Sequence, residues 1–546
     1  MTTHNCWPPR SLASHSFLPP HGANFPWGGP AGNDDCKASA KASIPSLTFV
    51  LAMTVCLLAG CTTTGPPLTI PITAPAQWYA PLPTATSAAA TKPEVSDNSS
   101  LPHNGSLTSL SQWWLQQNDP LLVELIEAAQ LVSPSIITAR SNIEQAQADR
   151  AVSEATLLPT LDAISNISRS LSTPLNRATV PPIVSVGQVG LQTSWELDLF
   201  GQNRASLAAD IERVKGSEAL WHDARVSVAA EVAMQYYSFR ACEKLLSVTR
   251  LDARSRTETA RLSDLVAKAG FTAPATAALA RASAAEGNSR VTQQRALCDI
   301  DLKALVALSA IAEPELLIKL AKEPAQTPEQ GIADISSVPA DVLTQRPDVY
   351  NASRQLAAAS FEVSSARAQR YPRLSITGFI SRNRSRTRNV GLSYDTWSVG
   401  PLALTVPLFD GGASDARFEA AKAKYEEAAG KYKGIVRQAV REVEEALVNL
   451  QSTTDRGSDT LVAAQGYRAS FAGTEARYRA GLASLVELEE SRRTLLAAQS
   501  ALVSLERERR GAWIALYRAL GGGWTVTTPN ASPMVFDIPE SILPFY

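Results

Sequence analysis

The chain has 546 residues, 51 basic against 52 acidic side chains for a net charge of -1, and 45% hydrophobic and 19% charged residues. Near-neutrality supplies no field for a nucleic-acid or anionic partner, so no nucleic acid is expected to bind. The hydrophobic content permits a real core, and a charged fraction below the roughly 25% of soluble domains implies that some surface faces something other than water.

Residues 1–60 read as a leader. Lys37 and Lys41 precede an apolar run from Ile44 to Leu58 that ends in Leu58-Ala59-Gly60-Cys61. Basic, then apolar, then small is the order of a secretory signal. At about 15 residues the run is too short for a membrane-spanning helix, which needs ~20. The ending resembles a bacterial lipobox, which implies acylation of Cys61, and Thr62 in place of Asp implies sorting to the outer membrane. Residues 1–36 hold Pro and Gly with few basic residues, unlike a signal, so the true start is expected further along. No later segment approaches 18 uninterrupted apolar residues, so any part that spans a membrane must use strands.

Residues 61–105 mix proline with Thr, Ser and Ala and read as an extended, poorly ordered tether from the lipid. The body begins near Trp113-Trp114, where Asp119-Pro120-Leu121 opens a helical pattern running toward Leu157. Thereafter the chain repeats itself. Leu158-Pro159 recurs as Tyr371-Pro372 (372 − 159 = 213), Phe200-Gly201 as Phe409-Asp410-Gly411 (409 − 200 = 209), and Ala269-Gly270 as Ala480-Gly481 (481 − 270 = 211). A period near 210 is far beyond solenoid repeats and marks a duplicated domain. The divisions are a first repeat at 106–322, a second at 323–525 and a tail at 526–546.

Each repeat runs helix, strand pair, long helical hairpin, and the strands are legible. Val189, Leu191, Trp195, Leu197 and Leu199 alternate with Gln188, Gln192, Ser194, Glu196 and Asp198, and in the second repeat Leu374, Ile376 and Ile380 alternate with Arg373, Ser375 and Thr377. Leu402, Leu404, Val406 and Leu408 form the returning strand, and polar loops are expected at Ser172–Gly187 and Arg382–Asp395. The alternation fits a tilted membrane strand, and equally a half-buried soluble hairpin. Long proline-free intervals come next, Pro182 to Pro274 and Pro407 to Pro529. Val436, Val440, Val443, Leu447 and Leu450 step by three or four, and Leu488, Leu495 and Leu502 by seven, the seam of a coiled coil. From about Ala205 to Gly270 one helix would reach about 100 Å, and Gly270 and Gly481 reverse the chain at the hairpin turns.

Four strands cannot close a barrel, and an open edge in lipid leaves backbone groups unpaired. Two chains would give eight strands and a filled interior, so a channel needs at least three. Here the sequence resembles the outer membrane factor family, the TolC-like efflux ducts, in the lipoprotein branch found with resistance-nodulation-division pumps (NodT-type). The motifs are Val338-Pro339-Ala340-Asp341-Val342-Leu343 into Arg346-Pro347-Asp348-Val349, Ala366-Arg367 to Tyr371-Pro372-Arg373-Leu374, Val406-Pro407-Leu408-Phe409-Asp410-Gly411-Gly412, and Tyr478-Arg479-Ala480-Gly481-Leu482-Ala483-Ser484. The resemblance covers about residues 110 to 522. It implies a mainly α fold with a membrane β-barrel: a homotrimer in which a 12-strand β-barrel in the outer membrane continues into a 12-helix α-barrel in the periplasm. An inner-membrane pump and a periplasmic adaptor would dock at the far end, and the implied role is a passive exit duct for drugs, small toxic molecules or ions.

In that family, acidic residues just past the helical turn form the periplasmic aperture, and the matching positions are Glu487 and Glu490, six and nine after Gly481. In a trimer these would ring a narrow axis with six carboxylates and favour cations. For Glu487 a capping box with Ser484 is the competing reading. The first repeat has Thr276 and Leu279 instead, and Ala483 stands where some relatives place a basic latch residue, so fewer polar links are expected to hold the closed state. Cys242 and Cys298 each lie 28 residues from Gly270, which puts them side by side in an antiparallel hairpin and predicts a disulfide in an oxidising compartment.

After Cys61 the histidines are His103 and His222, which argues against a metal site and leaves His222 structural. No Cys-x-x-Cys, His-Glu-x-x-His, Gly-x-Ser-x-Gly or phosphate-loop pattern occurs, so neither catalysis nor a cofactor is expected. The alternatives are a periplasmic adaptor-type coiled-coil lipoprotein, which normally carries one hairpin per chain, or the exit duct of a type I secretion system.

Overall fold

A computed structural model describes residues 65–71, 79–80, 114, 119–171, 183–322, 343, 346–387 and 390–524. The leader, Cys61, His103, residues 338–342 and the tail from 526 lie outside the described residues.

The expected helix from Pro120 toward Leu157 is two helices, α1 (Pro120–Val132) and α2 (Pro134–Ala155), bent by 48°. Pro134 lacks an N–H and closes the first helix while opening the second. Asp119 caps α1, its carboxylate accepting from the Leu122 amide at 3.1 Å. Next come β1 (Thr160–Leu171) and β2 (Ile183–Leu197), then α3 (Gln202–Lys268) and α4 (Pro274–Ser309). A short α5 (Glu313–Lys322) ends the first repeat. The second supplies α6 (Pro347–Ala368), β3 (Arg373–Thr387), β4 (Val390–Thr405), α7 (Ala413–Arg479) and α8 (Leu485–Ala519). Both α3 and α7 are unbroken for 67 residues, about 100 Å each.

The four strands form one antiparallel sheet in the order β1-β2-β3-β4. Pairing of β2 with β3, from Val184↔Thr387 to Leu197↔Leu374, joins the two repeats. The polar loop expected at Arg382–Asp395 is instead strand: β3 continues to Thr387 and β4 starts at Val390. Arg382, Arg384 and Arg386 keep the period of two, but charge stands where apolar residues would have revealed it. Likewise Ile183 to Gly187, expected in the first loop, belongs to β2.

The strand-to-helix joints of the two repeats use one device. Gly201 and Gly412 adopt φ of 77° and 88°, which glycine reaches without strain. A preceding aspartate then satisfies the free amides of the long helix: Asp198 accepts from Asn203 and Arg204, and Asp410 accepts from Gly412 and Ser414.

The helices form one layer. Its strand-side half runs α2-α3-α6-α7 and its far half α4-α3-α8-α7, so α3 and α7 pass through both halves while shorter helices succeed one another beside them. Around the middle, α1 and α5 pack on α3 and α4 through Leu122, Leu125, Leu305 and Leu316, all fully buried. Burying such a side chain contributes roughly 1.5–3 kcal/mol. On α7, Val436, Val443, Leu447 and Leu450 are buried and Val440 is half-buried; on α8, Leu488 is buried whereas Leu495 and Leu502 are half-buried.

Arg346 gives the Arg346-Pro347-Asp348 motif its structural role. Its guanidinium donates to Asp348 (2.7 Å), Glu442 (2.8 Å) and the Ala519 carbonyl (2.9 Å), binding α6, α7 and α8 together. The described part of the tether is also held. Tyr425 Oη donates to the Pro67 carbonyl at 2.9 Å, and Glu444 accepts from the amides of Tyr79 and Ala80, both at 2.7 Å. At these residues the chain lies along α6 and α7, with Ser360 Oγ donating to the Pro66 carbonyl as well, so its amides and carbonyls find partners on the helix surface.

Candidate channel wall and aperture

One face of the sheet is polar. Gln188 Nε2 donates to Ser381 Oγ at 3.1 Å, and Asn383 Nδ2 donates to Thr396 Oγ1 at 2.7 Å, a side-chain ladder across β2, β3 and β4. The opposite face is oily yet uncovered, with Val189, Leu191, Ile380, Trp397 and Leu402 all exposed. An exposed apolar patch of that size marks a surface that meets lipid or protein. Among the described residues the edges are uncovered too: β1 and β4 each pair on one side alone.

At the far end of the helices the two turns share a backbone. Gly270 (φ 80°) and Gly481 (φ 75°) follow α3 and α7, with Phe271 N–H donating to the Val266 carbonyl and Leu482 N–H to that of Arg477. Both are Schellman motifs, in which a left-handed glycine lets the last carbonyls be satisfied. The starts of the returning helices differ. Ala273 precedes α4 without a side-chain cap, whereas Ser484 and Glu487 form a capping box: Ser484 N–H donates to Glu487 Oε2 at 2.7 Å and Glu487 N–H to Ser484 Oγ at 3.2 Å.

The two aperture candidates come together. Glu487 and Glu490 line one shallow groove of about 430 Å3 with Thr474, Arg477, Val486 and Ser491. Neither is a bare anion: Glu490 accepts from Arg493 at 2.8 Å, and Glu487 lies 3.9 Å from Arg477. Thr276 is half-buried and Leu279 exposed at the other turn, and Ala483 is half-buried.

Sequence reasoning missed the carboxylate between them. Glu489 turns inward and accepts from Arg256 Nη1 (2.8 Å) and Ser283 Oγ (2.7 Å), and Arg492 also pairs with it. Arg256 in turn donates to Asp252 at 2.8 Å, and Arg492 to Thr259 at 3.0 Å. Two cations and two anions thus bridge α3, α4 and α8 where Ala260, Leu485 and Leu488 are buried beside them. One turn nearer the tip, Ser263 Oγ and Tyr478 Oη are 3.1 Å apart. The signal was present: Glu489 lies four residues after Leu485 and three before Arg492, on the buried stripe.

Farther up, Cys242 on α3 and Cys298 on α4 form a disulfide with Cα atoms 5.5 Å apart. His222 on α3 sits against Trp221 and Trp524. Burial, with the Arg225 charge adding to it, pushes its pKa down to about 4. Among the described residues no group of three or more His, Cys, Asp or Glu is arranged to hold a metal.

Two stretches of this chain, 125–310 and 338–522, match the family described as outer membrane efflux protein. The chain belongs to that family. The duplicated strand pair and hairpin are thus one family unit used twice. Among relatives, the pyoverdine export outer membrane protein OpmQ of Pseudomonas aeruginosa is 28% identical over 88% of this chain and 98% of its own. The solvent efflux pump outer membrane protein SrpC of Pseudomonas putida is 28% identical over 75% of this chain and 87% of its own. Nodulation protein T of Rhizobium leguminosarum is 25% identical over 78% and 88%. The outer-membrane channel OprN superposes with a TM-score of 0.72 at 26% identity, over 85% of this chain and 99% of that one. VceC of Vibrio cholerae gives 0.67 at 26% identity, over 76% and 99%.

Proposed function

We propose that this efflux protein is one third of a lipid-anchored trimeric duct, a passive conduit carrying small toxic molecules from an inner-membrane pump and its periplasmic adaptor through the outer membrane. The observation that carries the trimer is the sheet: among the described residues it has four strands, an exposed apolar face, a polar face opposite, and two unpaired edges. Three copies give twelve strands, enough for an open lumen, and the four-wide helical layer gives twelve helix positions below it. Acylation of Cys61 would fix the chain to the membrane, and Glu487 with Glu490 would ring the narrow end and select cations. The protein would do no chemistry of its own. Its two hairpins, each behind a strand pair, fit this reading better than a single-hairpin adaptor.

The test is purification of the full chain in mild detergent. Unboiled samples should run as trimers that collapse to monomers on heating, and reconstituted protein should conduct ions across a planar bilayer. A monomer without conductance would overturn the proposal.

A further inference from the structure

The outward face of the sheet changes character along its length. Taken across the strands in register, it starts at the helical end with Leu197, Leu374 and Leu404, and it is still apolar at Ile380 beside Trp397. Two residues on, the same face of β3 presents Arg382, then Arg384, then Arg386, all exposed, and Arg169 of β1 shares the row of Arg386 through Ser185 of β2. At 3.3 Å per residue and a tilt near 40°, Arg382 stands about 20 Å above Leu374, so the arginines begin near the top of an apolar band about 25 Å tall.

These arginines are not simply a water-facing end. Val189 pairs directly with Arg382, and Ile167 lies in the row of Arg384 through Gly187; both apolar side chains are exposed. Guanidinium and hydrocarbon therefore stand side by side. Arg382 has Asp395 opposite at 3.3 Å. In register Arg384 faces Gly187 and Ser393, and Arg386 faces Ser185 and Gly391, so among the described residues no acid stands opposite either. With Arg382 paired to Asp395, the three other outward guanidiniums, those of Arg169, Arg384 and Arg386, call for an anion at that depth, and a planar fork of donors pairs best with phosphate or carboxylate.

We infer that Arg169, Arg384 and Arg386 bind the phosphates of a phosphorylated glycolipid of the outer leaflet, whose acyl chains lie against Ile380 and Trp397. One molecule supplies both halves of the surface, hydrocarbon below and phosphate above. The site rests on the outer-membrane barrel proposed above.

The experiment titrates the purified trimer with a bisphosphorylated lipid of the lipid A type, with the same lipid after enzymatic dephosphorylation, and with phosphatidylglycerol, reading bound lipid by native mass spectrometry. Removing the phosphates should weaken binding by about tenfold or more, as should the triple change R169Q/R384Q/R386Q in a trimer that still assembles. Equal binding with and without phosphates overturns the inference using the unaltered protein alone, even if the variant fails to fold. Phosphatidylglycerol binding as tightly as the glycolipid overturns the outer-leaflet assignment. Failure of the unaltered chain to form a trimer would instead remove the barrel beneath the site.

Discussion

Glu489 on α8 accepts a hydrogen bond from Arg256 on α3 at 2.8 Å, and the Arg256 side chain is only 5% exposed. The second hairpin is thus bound to the first by paired charges held out of water. Without Glu489, Arg256 keeps Asp252 but the buried Arg492 loses its carboxylate, and a buried charge left unpaired costs more than the pair is worth. Glu489→Ala should lower stability by about 3 kcal/mol, and Glu489→Gln, which keeps the acceptor for Ser283, by less. Denaturant midpoints in detergent check this; an unchanged midpoint for the alanine variant would remove the network from the stability of the hairpins.

The aperture carboxylates should separate by role. Glu490→Gln should reduce cation selectivity in bilayers with little effect on stability, because Glu490 makes an exposed pair with Arg493. Glu487→Ala should reduce selectivity and also loosen the start of α8, at a cost of about 0.5–1 kcal/mol for the lost half of the capping box. Selectivity unchanged in both variants would exclude these residues from the gate.

The disulfide joins residues 56 apart in sequence. A loop of that length restricts the unfolded chain by about 4 kcal/mol in the chain-entropy account. Replacing both cysteines by serine should lower the urea midpoint accordingly, and non-reduced, denatured protein should leave Cys242 and Cys298 unlabelled by iodoacetamide. Alkylation of both would refute the bond.

For His222 the pKa in the folded chain is near 4, below the 6.5 of a free imidazole. Between those values the unfolded chain binds the extra proton, so stability rises with pH; its contribution is full above about 6.5 and is lost as pH falls toward 4. Thermal midpoints at pH 7 and pH 4.5 should differ less in His222→Gln than in the unaltered protein. An identical difference in both would exclude the histidine.

Glu444 holds two consecutive tether amides. Glu444→Ala should free this stretch, so that limited proteolysis near Tyr79 and Ala80 speeds up several-fold while the helical body stays resistant. Unchanged cleavage would mean that the remaining contacts suffice.

The sequence made the repeats, the long helices and the turns legible because each leaves a periodic trace: alternation from Val189 to Leu199, steps of three and four from Val436, a glycine at each reversal. It concealed the upper third of β3, where arginines occupy the outward positions and read as loop. It also concealed Glu489, whose role depends on Arg256, 233 residues away. A local pattern cannot report a partner on another helix. The break at Pro134 was locally visible, but the apolar periodicity on either side masked it.

At Gly190 the two repeats lie too close for a side chain: a Cβ there would meet the Ile380 carbonyl at 2.4 Å and Ser381 Cβ at 2.5 Å. That tight seam makes each chain a finished stave, with β1-β2, β2-β3 and β3-β4 all sealed within one molecule. In a closed barrel of three such chains, nine of the twelve seams would be built during folding of single chains and only three by their meeting. Assembly then reduces to one mating, β1 of one chain with β4 of the next, performed three times. Until the last is made, those same two edges are where a foreign strand would lodge.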